Sequence, residues 1–494
     1  MRKILLELTV FLCGAVVMIF EILGSRVLGP YLGTSMFVWT SLIGIILGSL
    51  SLGYWLGGML SDRKPYFGAL GLVILGAAIA ISLTSWIGEG FLSSLSGILP
   101  GIRLPAVIAS IVLFSPASIF LGMVTPYAVR LKIRNLQSSG RTVGNLYAIS
   151  TVGSIAGTFL AGFFLIPAFG TTKILFALSI LLVLISGMIL FTGLTRKKVL
   201  FWLLIPASFP FLICLSGRSG KDVLADVDTK YNRVRILDIP DPFSGKPSRI
   251  MMINDELSSA MFMDSDSLVF PYTRYYKLAE HFVPDFRHSL MLGGAGYSFP
   301  KYYIDHYTDA SIDVVEIDPG VTRLAYEYFR LKDNSRLNIF HEDGRTFLNR
   351  SKQKYDAILG DAYKSMYSIP WQLTTLQSVQ RQYDLLNDDG AIILNVISSL
   401  RGPGSLFLQA ELKTYQQVFP QVYLFKAIEG YQEDQMQSII LIALKSKLQP
   451  TFRSDNAELD AYLKTLVSLQ IEDGIPVLTD EYAPVDYFAL QSLE

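Results

Sequence analysis

Seven long apolar segments fill the first 217 residues of the chain and restrict its fold more than any other feature. Most of them approach the roughly 20 residues with which a helix crosses a bilayer. The seventh is the weakest, because it is short and contains Pro206 and Pro210. The pattern predicts a multi-pass α-helical membrane bundle of about seven helices, or of six if the last segment does not cross. The segments are residues 4–24, 36–60, 66–87, 105–129, 143–166, 172–193 and 199–216.

The basic residues between the segments predict the orientation of this bundle. Loops that stay in the cytoplasm carry more lysine and arginine, so the N-terminus of a multi-pass cell-membrane protein is predicted to be cytoplasmic here. Seven crossings would place the C-terminal half outside, away from the nucleosides that a cell makes inside, and the side of this half therefore stays open. One side carries Arg2, Lys3, Arg63, Lys64, Arg130, Lys132, Arg134, Arg141, Arg196, Lys197 and Lys198, and the other carries Arg26, Arg103 and Lys173.

Small residues recur four positions apart within the apolar segments. This spacing lets two helices approach closely, so it predicts packing inside the bundle rather than a transport path. The residues are Gly44 and Gly48, Gly53 and Gly57, and Gly153, Gly157 and Ala161.

The composition agrees with a chain that is only partly soluble. With 51% hydrophobic residues, a mean hydropathy of +0.40 and 17% charged residues, it is too apolar for an ordinary soluble protein. Its formal net charge is zero, so nothing indicates a nucleic-acid partner. Cys13 and Cys214 lie in apolar stretches, which excludes a disulfide framework. Because the four histidines show no ligand spacing, we expect no metal ion.

After about residue 218 the sequence changes to the pattern of a globular domain. Residues 231–239 and 248–254 alternate in polarity and predict a small antiparallel β sheet. Beyond them, apolar runs alternate with helical segments, which predicts an α/β, Rossmann-like domain with a doubly wound parallel sheet. Its predicted strands are 289–292, 312–317, 337–341, 355–359 and 391–396. The predicted domains are the helical bundle, 1–217, the small β domain, 218–268, the α/β domain, 269–447, and a C-terminal extension, 448–494.

A turn of small residues follows the first of the predicted parallel strands. Gly293, Gly294 and Gly296 leave room for a ligand to approach the backbone, and Glu316 and Asp318 stand at the end of the next strand. A carboxylate at this place can accept both hydroxyl groups of a ribose. Together the two features predict a nucleoside-binding site.

Two further acids, Asp343 and Asp361, each follow the end of a predicted strand. The carboxyl ends of parallel strands meet at one edge of a sheet, where α/β proteins bind their ligands. We therefore expect four acids and the small-residue turn to surround one site.

The ordered segments GGAGYS, VEID, HEDG and YDAILGDAY, found between residues 293 and 363, resemble the spermidine synthase (polyamine aminopropyltransferase) family. EILGSRVLGPYLGTS at 21–35 and LTDEYAPVD at 478–486 resemble its membrane-fused branch, in which a helical bundle precedes the synthase-like domain. The resemblance covers about residues 225–445. It implies an S-adenosylmethionine-methyltransferase-like fold and decarboxylated S-adenosylmethionine, or S-adenosylmethionine, as co-substrate.

The resemblance also implies a role for each matched residue. Glu316 would hold the ribose hydroxyls, and Asp343 and Gly344 would face the adenine. Asp361 would orient the attacking amine and take its proton. The remaining matched residues would be Gly293, Gly294, Gly296 and Asp318 on the donor side and Tyr272 and Tyr363 on the acceptor side.

Three positions depart from the family pattern. Gly296 stands where the family's turn has an acid, Lys364 replaces a second acid after Asp361, and Arg274 stands where the family has a glutamate. Each charge-assisted contact is worth roughly 1.5–3 kcal/mol, so a dicationic amine would lose several powers of ten in affinity. The sequence therefore predicts a less cationic acceptor, or one carried by a lipid of the bilayer.

Three functions follow as hypotheses. The first is a membrane-anchored transferase of polyamine biosynthesis that moves an aminopropyl or alkyl group to a small amine or a lipid-borne acceptor. The second is a transporter or membrane assembly protein whose domain has lost catalysis, and the third is an S-adenosylmethionine-dependent methyltransferase. A homo-oligomer is compatible with each. Acids near the C-terminus predict solvated helix ends in preference to an acidic lid: Glu472, Asp473, Asp480, Glu481 and Asp486.

Overall fold

The structure is a computed structural model that describes residues 2–99, 101–133, 137, 139–192, 222–241, 244–362, 369–428 and 430–491. The chain divides into two compact units, Met1–Ser219 and Gly220–Glu494. The sequence predicts four domains, and the limits of those domains within the two units stay predictions.

The first unit consists of helices. They are α1 (Arg2–Leu32), α2 (Met36–Arg63), α3 (Phe67–Ile98), α4 (Arg103–Lys132), α5 (Ser139–Leu160) and α6 (Thr171–Leu190). A π-helical stretch, Ala161–Leu165, and a last turn, Ile166–Ala168, extend α5. By length and composition, six of the described helices could cross a membrane. The predicted seventh segment, 199–216, lies outside the described residues.

Glycines bring two pairs of these helices into close contact. A Cβ atom on Gly53 of α2 would lie 2.3 Å from the Ile119 carbonyl oxygen of α4, and one on Gly157 of α5 would lie 2.4 Å from that of Ala15 in α1. The packing predicted from the small-residue spacing is therefore confirmed at both places. It is wrong for Gly44 and Gly48, where a Cβ atom would meet open space.

Replacing Gly153 by valine is expected to disrupt the contact between α1 and α5. A Cβ atom there would lie 2.0 Å from the Phe11 carbonyl oxygen, and because that neighbour is backbone, the helices must separate. We expect the free energy of unfolding to fall by about 1–3 kcal/mol, which lowers the midpoint of thermal unfolding in detergent. Gly48→Val is the matched control and should leave the midpoint nearly unchanged; an equal effect of both variants would contradict the packing.

The second unit begins with the small antiparallel sheet that the sequence predicts. Its four strands pair in chain order: β1 (Val223–Asp228), β2 (Arg233–Pro240), β3 (Pro247–Ile253) and β4 (Glu256–Phe262). A helical segment follows as α7 (Pro271–Arg274), a 3₁₀ turn (Tyr275–Leu278) and α8 (Ala279–Phe282).

An eight-stranded sheet flanked by helices forms the rest of the unit. Its elements are β5 (His288–Leu292), α9 (Ser298–His306), β6 (Ser311–Val315), α10 (Pro319–Tyr328), β7 (Leu337–Phe340), α11 (Gly344–Arg350), β8 (Tyr355–Gly360), α12 (Trp371–Thr374), α13 (Leu376–Leu385), β9 (Leu386–Ser398), a 3₁₀ turn (Pro403–Ser405), α14 (Leu406–Gln416), β10 (Gln421–Lys426), β11 (Gln437–Leu444), α15 (Ala457–Leu463), β12 (Leu466–Val467) and α16 (Val485–Gln491). The strand order is β12-β10-β11-β9-β8-β5-β6-β7.

The prediction of a parallel sheet is correct for β5 to β9 and wrong for the other edge. There β11 runs antiparallel to β9 and to β10, and β12 runs antiparallel to β10. The connection between β10 and β11, residues 427–436, is too short for the crossover that parallel neighbours need. The strand predicted at 391–396 is longer in the structure, where β9 begins at Leu386 and ends at Ser398.

Side chains of successive strand residues enter separate cores on the two faces of this sheet. Met291 packs into the core on one face, and Leu290 and Leu292 pack into the core on the other. The second core also contains Leu478 and Phe488 from the C-terminal extension. The acids predicted to be solvated in this extension are exposed at Glu472, Asp473, Asp480 and Glu481.

Candidate functional site

The turn after β5 approaches β8 so closely that its first position requires glycine. Gly293 has a φ of +95°, and a Cβ atom there would lie 2.3 Å from the Asp361 carbonyl oxygen. Ala295 and Tyr297 are also left-handed, with φ of 42° and 54°. The buried Tyr297 hydroxyl lies 2.8 Å from Thr322 Oγ1. The aromatic ring is thereby held in the core rather than in the ligand cavity.

Glu316 holds this turn in shape from the end of β6. Its Oε2 accepts hydrogen bonds from the amides of Gly294 (2.9 Å) and Ala295 (3.1 Å), and its Oε1 accepts one from the amide of Asp318 (2.9 Å). Burial raises the pKa of Glu316, and these backbone hydrogen bonds oppose the rise. Three of about four acceptor positions of the carboxylate are thus occupied, which leaves about one for a ligand.

Asp318 and Gly296 lie outside the set of described residues that line the cavity. Asp318 caps α10 by accepting from the Gly320 amide at 2.9 Å, and it also accepts from Thr229 Oγ1 and from Asn232 Nδ2 at 3.1 Å. A Cβ atom on Gly296 would lie 2.6 Å from Ser259 Oγ. Both residues therefore join the small sheet to the large one.

Asp343 and Gly344 line the cavity at the start of α11. Asp343 Oδ1 caps the helix by accepting from the Thr346 amide at 2.9 Å, and its Oδ2 lies 3.5 Å from Gln372 Nε2. Glu342 also lines the cavity and forms an ion pair with Arg350. One oxygen of Asp343 is therefore engaged by the helix, and the other lies beside the amide of Gln372.

Asp361 stands at the end of β8 with two partners of its own. Tyr272 donates its hydroxyl proton to Oδ2 at 2.8 Å, and Asn395 Nδ2 donates to Oδ1 at 3.3 Å. Burial raises the pKa of Asp361 to about 6, although both hydrogen bonds oppose the rise. A carboxyl group with this pKa is ionised near neutral pH yet basic enough to take a proton.

Asn395 was missed by sequence reasoning. It lies within the apolar strand β9 and is 3% exposed. The feature of the sequence that could have identified Asn395 is its amide side chain within an apolar strand. That strand pairs with β8. Only that pairing brings Asn395 to Asp361.

One cavity of about 300 Å³ brings most of the predicted residues together at the carboxyl ends of the parallel strands. Tyr363 and Lys364 lie outside the described residues. The predicted residues that line the cavity are Tyr272, Gly293, Gly294, Glu316, Asp343, Gly344 and Asp361. Their roles stay predictions.

The cavity is lined by acids. Among its described lining residues there is no lysine, arginine or histidine, and the carboxylates belong to Glu256, Glu316, Glu342, Asp343 and Asp361. Arg274, which the sequence placed near the amine, donates instead to the carbonyl oxygens of Leu268 (3.1 Å) and Val269 (3.2 Å). Arg274 therefore adds no positive charge to the cavity wall. The electrostatic field of the carboxylates inside the cavity favours a cation.

The C-terminal extension supports the wall beside Asp343. Asp480 Oδ2 accepts from Arg345 Nη2 at 2.8 Å, and Oδ1 accepts from Thr375 Oγ1 at 2.6 Å. Arg345 Nη1 in turn donates to the carbonyl oxygen of Gln372 at 3.0 Å. The acid in the LTDEY segment thus fixes the residues that lie against the cavity.

Replacing Asp480 by asparagine is expected to lower stability by about 1–3 kcal/mol, because the partly buried Arg345 loses a charged partner. The thermal unfolding midpoint of the full chain measures this loss. Asp473→Asn, at an exposed acid in the same extension, is the control and should change the midpoint little. A midpoint equally unaffected in D480N would show that the extension does not brace the wall.

The strand order, with one antiparallel strand between β9 and β10, defines an S-adenosylmethionine-methyltransferase-like Rossmann domain preceded by a small antiparallel sheet. Residues 276–450 match the spermine/spermidine synthase domain family. The C-terminal part of this chain is a spermine/spermidine synthase domain, which confirms the family expected from the motifs.

The relatives of the chain carry related names. It is 29% identical over 239 residues to a polyamine aminopropyltransferase of Vibrio vulnificus, covering 44% of this chain and 75% of that protein. It is 24% identical over 394 residues to polyamine aminopropyltransferase 1 of Streptomyces coelicolor, covering 73% and 69%. A solved structure of a probable spermidine synthase from Corynebacterium glutamicum is similar at 20% identity with a TM-score of 0.42, over 50% of this chain and 88% of that one.

Proposed function

We propose that the chain is a membrane-anchored transferase that moves an aminopropyl group from decarboxylated S-adenosylmethionine to an amine. The observation that carries the proposal is that the described residues lining the cavity include five carboxylates and no lysine, arginine or histidine. Decarboxylated S-adenosylmethionine carries a sulfonium and an ammonium group, and carboxylates stabilise both. The family of the C-terminal domain supports the same reaction.

The donor side of the cavity fits an adenosine. The remaining acceptor position of Glu316 would take a ribose hydroxyl, and Asp343 Oδ2 with the neighbouring Gln372 would meet the polar edge of the adenine. Gly293 and Gly294 keep side-chain atoms away from the ligand. These contacts position the sulfonium and supply the rate chiefly through orientation.

The acceptor side is organised around Asp361. The nitrogen of the amine forms a bond to the methylene carbon beside the sulfonium, the carbon–sulfur bond breaks, and its electron pair leaves with methylthioadenosine. Before this attack the ammonium form of the amine gives one proton to Asp361, which frees the lone pair of the nitrogen. The Tyr272 hydroxyl fixes the carboxylate for this step.

A methyltransferase would need to bind the carboxylate of S-adenosylmethionine itself. That group would enter a cavity whose described lining offers no cationic side chain, and like charges repel. This arrangement favours the decarboxylated donor over the intact one.

Calorimetric titration of the full chain in detergent tests the function. We expect decarboxylated S-adenosylmethionine and methylthioadenosine to bind at least about tenfold more tightly than S-adenosylmethionine, as expected from one unfavourable charge contact. Incubation with the decarboxylated donor and 1,4-diaminobutane should yield methylthioadenosine and the aminopropylated amine by mass spectrometry. If no nucleoside binds, the transferase is refuted and the transporter or assembly hypothesis takes its place; a preference for S-adenosylmethionine would indicate a methyltransferase.

We further propose that the bundle crosses the membrane six times and leaves the synthase domain in the cytoplasm. Six described helices are long enough, and with a cytoplasmic N-terminus an even number of crossings returns the chain to the side where nucleosides are made. A fluorescent reporter fused to the C-terminus, which matures only inside, should fluoresce, and an alkaline phosphatase fusion at the same place should be inactive. The reverse result would mean an odd number of crossings.

A further inference from the structure

The synthase domain contains a second cavity apart from the ligand cavity. It has a volume of about 500 Å³, within the range of cavities that bind small molecules. Its wall is formed by the end of β4, the segment 265–268, α9 and the segment 330–334, which follows α10. Among the described residues, none lines both cavities. A molecule bound in the second cavity would therefore occupy a site of its own.

Lys301 of α9 brings a half-buried positive charge to this wall. Its Nζ donates to the Phe329 carbonyl oxygen, and no carboxylate in the described part of the chain lies within ion-pair distance of it. Burial lowers the pKa of Lys301 to about 8, Arg330 adds to the fall, and Asp266 and Asp305 oppose it. An ammonium group has three donors, so two of those of Lys301 are left for a ligand.

Two further cations line the same wall. Arg330 has a φ of 57°, which a residue other than glycine rarely adopts, and its Nη2 donates to the Met263 carbonyl oxygen at 2.9 Å. A guanidinium has five N–H donors, so most of them stay available. Lys332 is exposed and makes no hydrogen bond or ion pair with any described residue. Three positively charged side chains with unused donors therefore line one cavity.

Three acids also line this cavity, but they do not neutralise the cations at close range. Asp266 approaches Arg330 only to 4.0 Å, and its side chain is 85% exposed. Asp305 and Asp333 are exposed as well. Water and salt screen exposed charges strongly, whereas a half-buried ammonium group is screened less. The charge that lacks a partner in this wall is therefore positive.

We propose that the second cavity binds a phosphate monoester, with Lys301, Arg330 and Lys332 as the cationic partners of its phosphate group. Near pH 7 such a group carries a charge of about −1.5 to −2 and three acceptor oxygens. It therefore suits three cations better than a single carboxylate does. The hydroxyl groups of Ser265 and Ser267 have no partner among the described residues and can donate to the same oxygens.

The rest of the molecule would lie against apolar side chains. The cavity is many times larger than the roughly 30 Å³ that a water molecule occupies in the liquid, so a phosphate group leaves room for an organic body. Ile304, Leu331 and Leu337 present apolar surface for it. This inference does not rest on the proposed transferase, because none of these residues lines the ligand cavity.

Labelling with pyridoxal 5′-phosphate at pH 8 tests the site in the full chain in detergent. The aldehyde and the amine of Lys301 condense to an imine with loss of water, and borohydride reduces the imine to a secondary amine that peptide mass spectrometry locates. Pyridoxal, which lacks the phosphate, is the matched probe, and the exposed Lys464 is the internal reference. Relative to Lys464, we expect the phosphorylated probe to label Lys301 roughly 10- to 100-fold faster than pyridoxal, the range of one charge-assisted contact.

Variants of the other two cations show whether they bind the phosphate group. Lys332→Gln should lower the preference for the phosphorylated probe roughly 3- to 10-fold, and its exposed side chain makes no contact that the fold needs. Arg330→Gln combined with Lys332→Gln should abolish the preference. Lys447→Gln removes an exposed lysine that does not line the cavity and is the matched control, which should label like the parent.

Protection experiments identify the source of the phosphate group. We expect glycerol 3-phosphate to protect Lys301 from labelling, which supports a soluble ligand; protection by phosphatidate in mixed micelles alone would support the phosphate site and assign it to a lipid headgroup. If neither protects, or if Lys301 shows no preference for the phosphorylated probe, the inference is overturned. Methylthioadenosine binding should be unchanged in Lys332→Gln. Its absence in the parent would refute the transferase and leave the labelling result standing.

Discussion

Replacing Asp361 by asparagine is expected to lower kcat for aminopropyl transfer by roughly 100- to 10,000-fold, the usual contribution of a positioned general base. The isosteric amide can still accept a hydrogen bond from Tyr272, so the cavity keeps its shape. What the variant loses is the group that takes the proton of the amine. Formation of methylthioadenosine at saturating donor and amine measures the effect.

The pH dependence of kcat/KM for the amine separates this role from a structural one. The pKa of Asp361 in the ligand-free protein is raised to about 6, so kcat/KM should rise with pH and level off above about pH 6, where the base is ionised. D361N should lack that step. Because the folded state holds this proton more tightly than the unfolded chain, burying Asp361 lowers stability increasingly from about pH 4 to about pH 6, and the full loss persists above that pH. D361N should therefore be no less stable than the parent at pH 8.

Asp356→Asn provides a matched control on the same strand. Asp356 is the second residue of β8 and lies at the end of the strand away from the cavity. It accepts hydrogen bonds from the backbone amides of Arg287 (2.8 Å) and His288 (2.9 Å). Its replacement should lower stability and leave the pH profile of kcat/KM unchanged. A D361N enzyme with the parent kcat would rule out Asp361 as the base.

Replacing Glu316 by glutamine is expected to weaken methylthioadenosine binding by roughly 10- to 100-fold, since one charge-assisted contact to the ribose is lost. The replacement also destabilises the turn after β5. A glutamine can accept from the amides of Gly294 and Ala295 only with its oxygen, which places its NH₂ group against the Asp318 amide. An unpaired buried donor costs about 1–3 kcal/mol, so the thermal midpoint should fall too.

Glu342→Gln distinguishes the two effects of the Glu316 change. Glu342 lines the same cavity, but its carboxylate is engaged by Arg350 at the surface. Its replacement should change nucleoside affinity and stability only slightly, because exposed ion pairs contribute little. Calorimetric titration and thermal unfolding measure both quantities. If E316Q bound methylthioadenosine as tightly as E342Q, Glu316 would serve only the turn.

The sequence predicted Glu316 and Asp361 correctly as residues of one cavity because both follow parallel strands, whose ends meet whatever the side chains do. It misplaced Asp318 for a physical reason. That acid also follows a strand, but it turns to Thr229 and Asn232, the latter 86 positions earlier in the chain. A strand-end position therefore identifies candidates and does not decide which way each carboxylate points.

The amino-acid sequence by itself determined the apolar helices, the strands that end in acids and the family of the C-terminal domain, because length, periodicity and ordered motifs are local properties of a chain. Only the tertiary structure decided which polar groups share an environment. It brought Asn395 to Asp361, left Glu411 Oε2 without a hydrogen-bond partner among the described residues and placed the C-terminal extension against the cavity wall. The reason is that hydrogen-bond partners and burial depend on elements far apart in sequence.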